Sequence, residues 1–224
     1  MIRAAILDID GTLVDSVDLH ARAWQEAFAK FGHKIDFEDV RSQIGKGGDQ
    51  LIPVFLTQEQ QQRYGEELTE YRGKLWKQKY MPLVKPFPKV REFVQRIRDD
   101  GKKVALASSA KADEVDVYKR LAHIEDLVQE QTSADDAERS KPHPDIYEAA
   151  LDRLGVSATE AVTVGDSPYD AIAAGKLGIA SIGVLSGGFA EEDLRAAGYR
   201  EIYQGCADLL ERYSHSFLAS KRAA

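Results

Sequence analysis

Asp8 and Asp10 stand two residues apart at the end of a short apolar run, with Gly11 and Thr12 directly behind them. Much further along, Asp166 and Asp170 sit one helical turn apart, and Ser108 and Lys141 fall between the two pairs of acids. Brought to one place, the carboxylates would outnumber the single ammonium group, and their repulsion calls for a cation. Hard oxygen ligands suit magnesium, which is held by one or two carboxylates and keeps several waters. The remaining hydroxyl, ammonium and turn amides suit a phosphate. A carboxylate such as Asp8 can then attack phosphorus as a nucleophile. Asp10 lies on the same side of an extended chain, where it can protonate a leaving oxygen and later take a proton from water.

These residues need elements that bring them together. Residues 4–7 read as a short buried strand ending in a turn, and Ser16 as the N-cap of a helix that runs to Phe31 and is stopped by Gly32. Residues 36–80 carry further helical patterns, broken by Gly45-Lys46-Gly47-Gly48, and no convincing strand. A Pro-rich connector, 82–88, separates this part from the rest. Beyond it the periodicity predicts strands over 103–108, 126–129, 161–165, 179–184 and 201–203. They alternate with helices over 111–122, 144–154, 168–177, about 191–197 and 205–217. Such alternation implies a doubly wound parallel sheet with helices on both faces. The chain is accordingly read as an α/β core, residues 1–14 and 82–224, with an all-helical cap, residues 15–81, inserted after the first strand. Open parallel sheets bind ligands at the carboxyl ends of their strands. That edge receives Asp8 and Asp10, Ser108, and Asp166, with Lys141 added from a loop.

Four segments together carry a resemblance. Asp8-Ile-Asp-Gly-Thr-Leu-Val-Asp-Ser16, Ser108 after an apolar strand, Lys141-Pro-His-Pro-Asp-Ile-Tyr147 and Gly165-Asp166-Ser-Pro-Tyr-Asp170 resemble, in order, the four motifs of the haloacid dehalogenase-like superfamily. The helical insertion resembles that family's small cap, as in the phosphoglycolate phosphatase and beta-phosphoglucomutase-like members. The resemblance implies that Asp8 is the nucleophile and Asp10 the general acid/base. It implies that the Asp8 carboxylate, the Asp10 backbone carbonyl and the Asp166 carboxylate hold magnesium. It places Ser108 and Lys141 on the phosphoryl group, with Gly11 and Thr12 in the phosphate-binding turn, and gives Asp170 a supporting part behind the metal or Lys141. The second acid of the first motif points to phosphate esters, because dehalogenating members lack it.

The expectation is a magnesium-dependent phosphatase acting on a small phosphorylated metabolite. A sugar-phosphate mutase of the same superfamily is the alternative, although Ala112 departs from the mutase-like loop that Lys111 fits. A non-catalytic phosphate-binding module is a third reading, which the intact Asp8 and Asp10 oppose. His20 and Trp24, spaced i, i+4, fit either packing inside the cap or a face closing over the site. Lys46, between glycines, fits either a plain turn or a cap loop reaching the substrate. Ser109 is read as structural.

The bulk properties exclude little else. A formal net charge of −7 disfavours non-specific nucleic-acid binding. The single cysteine, Cys206, permits no internal disulfide. The first apolar run is broken by Arg3 and Asp8, unlike a signal peptide, and no stretch approaches the roughly 18 apolar residues of a membrane span. A cytoplasmic location and no membrane association are the corresponding expectations.

Overall fold

The structure is a computed structural model that describes residues 1–219. Its strands are β1 Ala4–Leu7, β2 Val14–Asp15, β3 Lys85–Pro86, β4 Lys103–Ala107, β5 Glu130–Thr132, β6 Ala161–Gly165, β7 Ala180–Val184 and β8 Glu201–Tyr203. Six of them form one parallel sheet in the order β5-β4-β1-β6-β7-β8. The two faces follow from strand alternation. Ala5, Leu7, Val104, Leu106, Val162 and Val164 point into one apolar cluster, and Ala4, Ile6, Ala105, Ala107 and Ala161 into another. The first face is covered by α5 Val90–Asp99, α6 Ala112–Ala122 and α10 Cys206–Glu211, and the second by α7 Asp145–Leu154 and α8 Pro168–Lys176. Helix α5 shows why: Val90, Phe93, Val94 and Ile97 recur at helical spacing and are all buried. A further helix, α9 Glu191–Ala197, packs on α8 and β8.

Between β2 and β3 the chain is helical: α1 Val17–Lys30, α2 Phe37–Arg41, α3 Gly48–Phe55 and α4 Gln58–Leu75, then a π-helical turn Trp76–Tyr80 and a 3₁₀ turn Met81–Leu83. These helices have an apolar cluster of their own, with Trp24, Phe28, Val40, Leu51, Leu56 and Leu68 inside it. Helix α4 starts with a full capping box, in which Thr57 Oγ1 accepts from the Gln60 amide and Gln60 Oε1 from the Thr57 amide. Its interior holds Gly65 and Gly73, each about 1 kcal/mol less favourable there than alanine.

The chain leaves the sheet and returns to it through one antiparallel ladder, Val14 opposite Pro86 and Asp15 opposite Lys85. Other bonds tie the helices to the sheet side. Arg41 Nη2 donates to the Gly187 carbonyl at 2.8 Å, Tyr169 Oη to the Ser42 carbonyl at 2.6 Å, and the Ser140 amide to Asp49 Oδ2 at 3.0 Å.

Several expectations shift. The strand predicted at 126–129 is instead β5 at Glu130–Thr132, with 125–127 forming a turn. The closing helix predicted over 205–217 is α10 plus a separate 3₁₀ turn, Tyr213–His215. The connector 82–88 contains β3, and α5 follows it without a specific sequence signal having marked it. Ser16 sits at the α1 N-cap position, but its hydroxyl makes no capping bond. No helix among the described residues is long and apolar enough to cross a membrane.

Candidate active site

β1 lies at the centre of the sheet, where the chain first builds outward through β4 to β5 and then crosses back to β6, β7 and β8. The switch in winding opens a crevice at the carboxyl ends of β1, β4 and β6. Asp8 follows β1, Ser108 follows β4, and Asp166 follows β6. The Asp8 amide donates to the Val164 carbonyl at 2.9 Å, so the backbone of the first motif is pinned to the neighbouring strand.

Asp8, Lys141 and Asp170 form a buried charged cluster. Lys141 Nζ is 2.6 Å from Asp8 Oδ1, 2.6 Å from Asp170 Oδ1 and 2.9 Å from the Ala107 carbonyl, which uses all three donors of the ammonium group. Burial alone would lower the Lys141 pKa, but the Asp170 and Asp8 carboxylates outweigh it and hold the group well above its usual value. Asp8 is pushed up to about 7 by burial and by Asp170, against the opposing pull of Lys141. One cation is therefore too little for the carboxylates around it.

Asp170 is fully engaged. Its Oδ1 also accepts from Tyr147 Oη at 2.9 Å, and its Oδ2 accepts from Ser167 Oγ at 2.6 Å and from the Ser167 amide at 3.3 Å. Gly165 lets it approach, because a Cβ there would stand 2.7 Å from Asp170 Cβ. Asp170 thus holds Lys141 in place from behind.

Asp8, Asp166 and Asp170 bring carboxylate oxygens within 4.8 Å of one another. With Asp170 engaged, Asp8 and Asp166 are the pair left to bind a cation. Burial and then Asp8 raise the Asp166 pKa well above the carboxylate range. Its carboxylate packs directly on two glycines, since a Cβ on Gly11 would lie 2.3 Å from Asp166 Oδ2 and one on Gly187 only 1.6 Å. Crowded, hard oxygen donors with glycines on both sides fit a divalent cation.

The first turn differs from its expected part. The Gly11 amide donates to the Val14 carbonyl at 2.9 Å and the Thr12 amide to the Ile9 carbonyl at 3.2 Å, so both amides are used within the turn. The Thr12 hydroxyl lies 3.0 Å from Asp8 Oδ2 and 3.4 Å from Asp166 Oδ1. Gly11 and Thr12 therefore shape the carboxylate pair, and neither amide is directed at a phosphate.

Asp10 faces the helices. Its Oδ1 accepts from Ser16 Oγ at 2.6 Å and meets His20 Nε2 at 2.9 Å. Burial would raise the Asp10 pKa, but His20 and Ser16 together carry it below the usual value. Burial lowers His20, more strongly than Asp10 raises it. The His20 ring stacks on Trp76 with centroids 3.6 Å apart, and its Nδ1 touches Arg72 Nη2. The Arg72 guanidinium lies 5.0 Å over the Trp24 ring. Glu114, buried on α6, has its pKa raised by burial and partly restored by Arg72. The i, i+4 pair is thus divided: His20 reaches Asp10, while Trp24 packs in the helical cluster and shows one edge to the site.

A small cavity of about 70 Å³ lies in front of Asp8 and Asp10 and is also lined by Trp24, Lys46, Arg72 and Ser109. Lys46 Nζ donates to Gln43 Oε1 at 2.5 Å and stands 4.7 Å over the Tyr169 ring. Ser108 is completely buried and does not line the cavity, and its Oγ accepts from the Ala110 amide at 3.0 Å. Its hydroxyl proton remains to be donated. Ser109, read from sequence as structural, reaches the cavity wall. Arg72, Glu114 and Ser109 carried no motif signal, and the spacing of Ser16 suggested only a cap.

Comparison with known proteins agrees with this geometry. The profile of a family described as "Haloacid dehalogenase-like hydrolase" matches residues 5–184. The chain is 28% identical over 220 residues to a phosphoglycolate phosphatase of Vibrio parahaemolyticus, covering 94% of this chain and 95% of that one. It is 27% identical over 172 residues to the pyrophosphatase PpaX of Bacillus cereus, covering 76% of this chain and 77% of that one. A solved structure of a hydrolase from Pseudomonas syringae superposes with a TM-score of 0.85 at 26% identity, over 97% of this chain and 100% of that one. With a family profile spanning most of the chain and the same fold over nearly its full length, the chain belongs to the haloacid dehalogenase-like hydrolase family.

Proposed function

We propose that this protein is a magnesium-dependent phosphatase that hydrolyses a phosphate monoester through a phospho-aspartate on Asp8. The observation that carries the reading is the pair of differently served acids two residues apart. Asp8 is held by Lys141 and faces the cavity, and Asp10 is held by Ser16 and His20 at its side. The division of labour has 1–14 and 82–224 as the catalytic core and 15–81 as the cap.

Asp8 and Asp166 carboxylates and the Asp10 backbone carbonyl would hold the cation, which supplies positive charge to the phosphoryl oxygens and to the crowded acids. Lys141 Nζ turns the donor it gives Asp8 toward a phosphoryl oxygen once Asp8 engages phosphorus, and the Ser108 hydroxyl binds another phosphoryl oxygen. The Asp8 oxygen forms a bond to phosphorus as the ester P–O bond breaks, and the electron pair leaves with the alcohol oxygen. Asp10 donates its proton to that oxygen. Ser16 and His20 favour ionised Asp10 in the empty site, and an arriving phosphate dianion raises its pKa and favours the protonated form. In the second half Asp10 takes a proton from water, the water oxygen attacks phosphorus, and the P–O bond to Asp8 breaks to give inorganic phosphate and free carboxylate. The fixed groups act mainly by placement and charge stabilisation.

The test is phosphate release from a panel of phosphate monoesters in Mg²⁺, together with hydroxylamine trapping of the acyl phosphate. Asp8→Asn is expected to reduce turnover by about a thousand-fold or more, about 4 kcal/mol in barrier, and to abolish trapping, with the circular dichroism spectrum unchanged. A folded Asp8→Asn protein with substantial turnover sinks the nucleophile assignment.

A further inference from the structure

The small cavity opens into a much larger cleft between α4 and the loops that follow β4 and β5. It holds about 870 Å³, and shares Trp24, Gly47, Gly48, Arg72, Ser109 and Glu114 with the small cavity. Ligand sites of about 300–1,000 Å³ enclose molecules of drug size. A two-carbon acid attached to a phosphate would leave most of this space as water.

The composition of the walls is specific. On one side lie Gly65, Thr69 and Gly73, at i, i+4 and i+8 on α4 and so on one ridge. Neither glycine is needed by the fold. Both have ordinary helical backbone, a Cβ on Gly73 would meet nothing within 4 Å, and one on Gly65 would meet only Gln61 Cβ at 3.8 Å. Thr69 folds its hydroxyl back onto the Gly65 carbonyl at 2.8 Å. The opposite side is also built low, from Ala110, Ala134, Ala137 and Ser140. What the two helix-weakening glycines change is the width of the cleft.

The polar groups identify what fits. Glu66, Glu70 and Glu138 offset Lys74, Lys77 and Lys111 along the walls, so the cleft selects no strongly anionic leaving group. Arg72, Glu114 and Ser109 line both the cleft and the small cavity, and Arg72 Nε is a buried donor that has no hydrogen-bond partner. Hydroxyl groups, which donate and accept at once, match such a mixture.

Resting on the phosphatase reading above, we propose that the leaving group is bulky and polyhydroxylated, of sugar size or larger, and that Gly65 and Gly73 set this specificity by holding the cleft open. Arg72 Nε then donates to a leaving-group hydroxyl.

The experiment measures kcat/KM in Mg²⁺ on two sets of substrates. The small set is phosphoglycolate and inorganic pyrophosphate, and the bulky set is hexose 1-phosphates, hexose 6-phosphates and adenosine 5′-monophosphate. The wild-type protein is expected to favour the best bulky ester over both small ones by ten-fold or more. Gly73→Leu is expected to reduce that ratio by ten-fold or more, and Gly65→Leu to act in the same direction. Gly175→Leu on α8, an exposed helical glycine outside the cleft with open space around it, controls for the substitution itself and leaves the ratio alone. Thermal melts show that each variant is folded. A small substrate that is best, or a ratio unchanged in folded Gly73→Leu and Gly65→Leu, overturns the specificity assignment while the phosphatase reading stands. No phosphate release from either set overturns both.

Discussion

At the scale of single residues, the proposed chemistry rests on giving two neighbouring carboxyl groups different partners. Asp8 is bonded to a buried ammonium group and surrounded by other acids, and Asp10 is bonded to a hydroxyl and an imidazole. The proposed roles predict a substrate-dependent defect for Asp10→Asn. Aspartyl-phosphate formation, followed by rapid quench, is expected to slow by about a hundred-fold or more for alkyl phosphates and much less for p-nitrophenyl phosphate, whose leaving oxygen needs little protonation. Equal losses on both would count against Asp10 as the acid. The sequence showed the residues that lie at strand ends, because strand period and motif spacing alone put Asp8, Ser108 and Asp166 on one edge. It did not show Arg72 or Glu114. Arg72 meets His20 across 52 positions of chain, a pairing that exists only after α1 and α4 pack side by side. The bond from Ser16 to Asp10 escaped for a different reason, since a serine before a helix reads as a cap whatever its hydroxyl does.

At the scale of elements, the strongly periodic segments were legible and the weakly held ones were not. β5 is an edge strand with one neighbour, and of its three residues only Thr132 is buried, so its sequence carries almost no alternation. The apolar residues just before it, Leu127 and Val128, drew the expected strand to 126–129, yet they serve the cluster beneath a turn. β2 and β3 have two residues each and no periodicity to detect. The loop between α2 and α3 is where element and function meet. It presents Lys46 to the cavity that contains Asp8 while anchoring it on Gln43 and over Tyr169. A charge-assisted hydrogen bond from Lys46 to a leaving group would contribute about 1–3 kcal/mol. Lys46→Ala is therefore expected to lower kcat/KM for the best substrate by about ten-fold or more and to change a small generic ester little. Parallel losses on both would instead place Lys46 in cap closure or in the common chemistry, and no loss on either would leave the loop as a turn between helices.

At the scale of the whole molecule, the site is a concentration of like charge in a buried crevice, and that has a thermal signature. Asp8 is held above its normal pKa by burial and by Asp170, and Asp166 by burial and by Asp8. A cation that binds only the folded chain stabilises it by about 2.7 kcal/mol at a hundred times its dissociation constant. For a chain of this length each kcal/mol moves Tm by about 2–4 °C. Saturating Mg²⁺ is expected to raise Tm by several degrees, chelation to reverse the rise, and Asp166→Asn to remove the response. A melt indifferent to Mg²⁺ would argue against the assigned cation ligands without any reference to turnover.

The short ladder of β2 with β3 has a consequence for how such a molecule can change over time. Residues on either side of the inserted helices are held opposite each other, at the roughly 5 Å spacing of paired strands. To the sheet, everything between them is equivalent to a tight connection, because no strand order or register depends on its length. The helices bury most of their apolar side chains in a cluster of their own, and only their sheet-facing edge, with Ala23, Trp76 and Tyr80, joins the sheet's core. The part proposed to choose the substrate is thus free to drift, lengthen or be exchanged, and the part that carries Asp8 and Asp166 need not refold around it. Cross-links such as those at Arg41, Tyr169 and Asp49, the bonds of Ser16 and His20 to Asp10, and the packing of Ala23, Trp76 and Tyr80 on the sheet's core must be re-established for a new set of helices to serve the same chemistry.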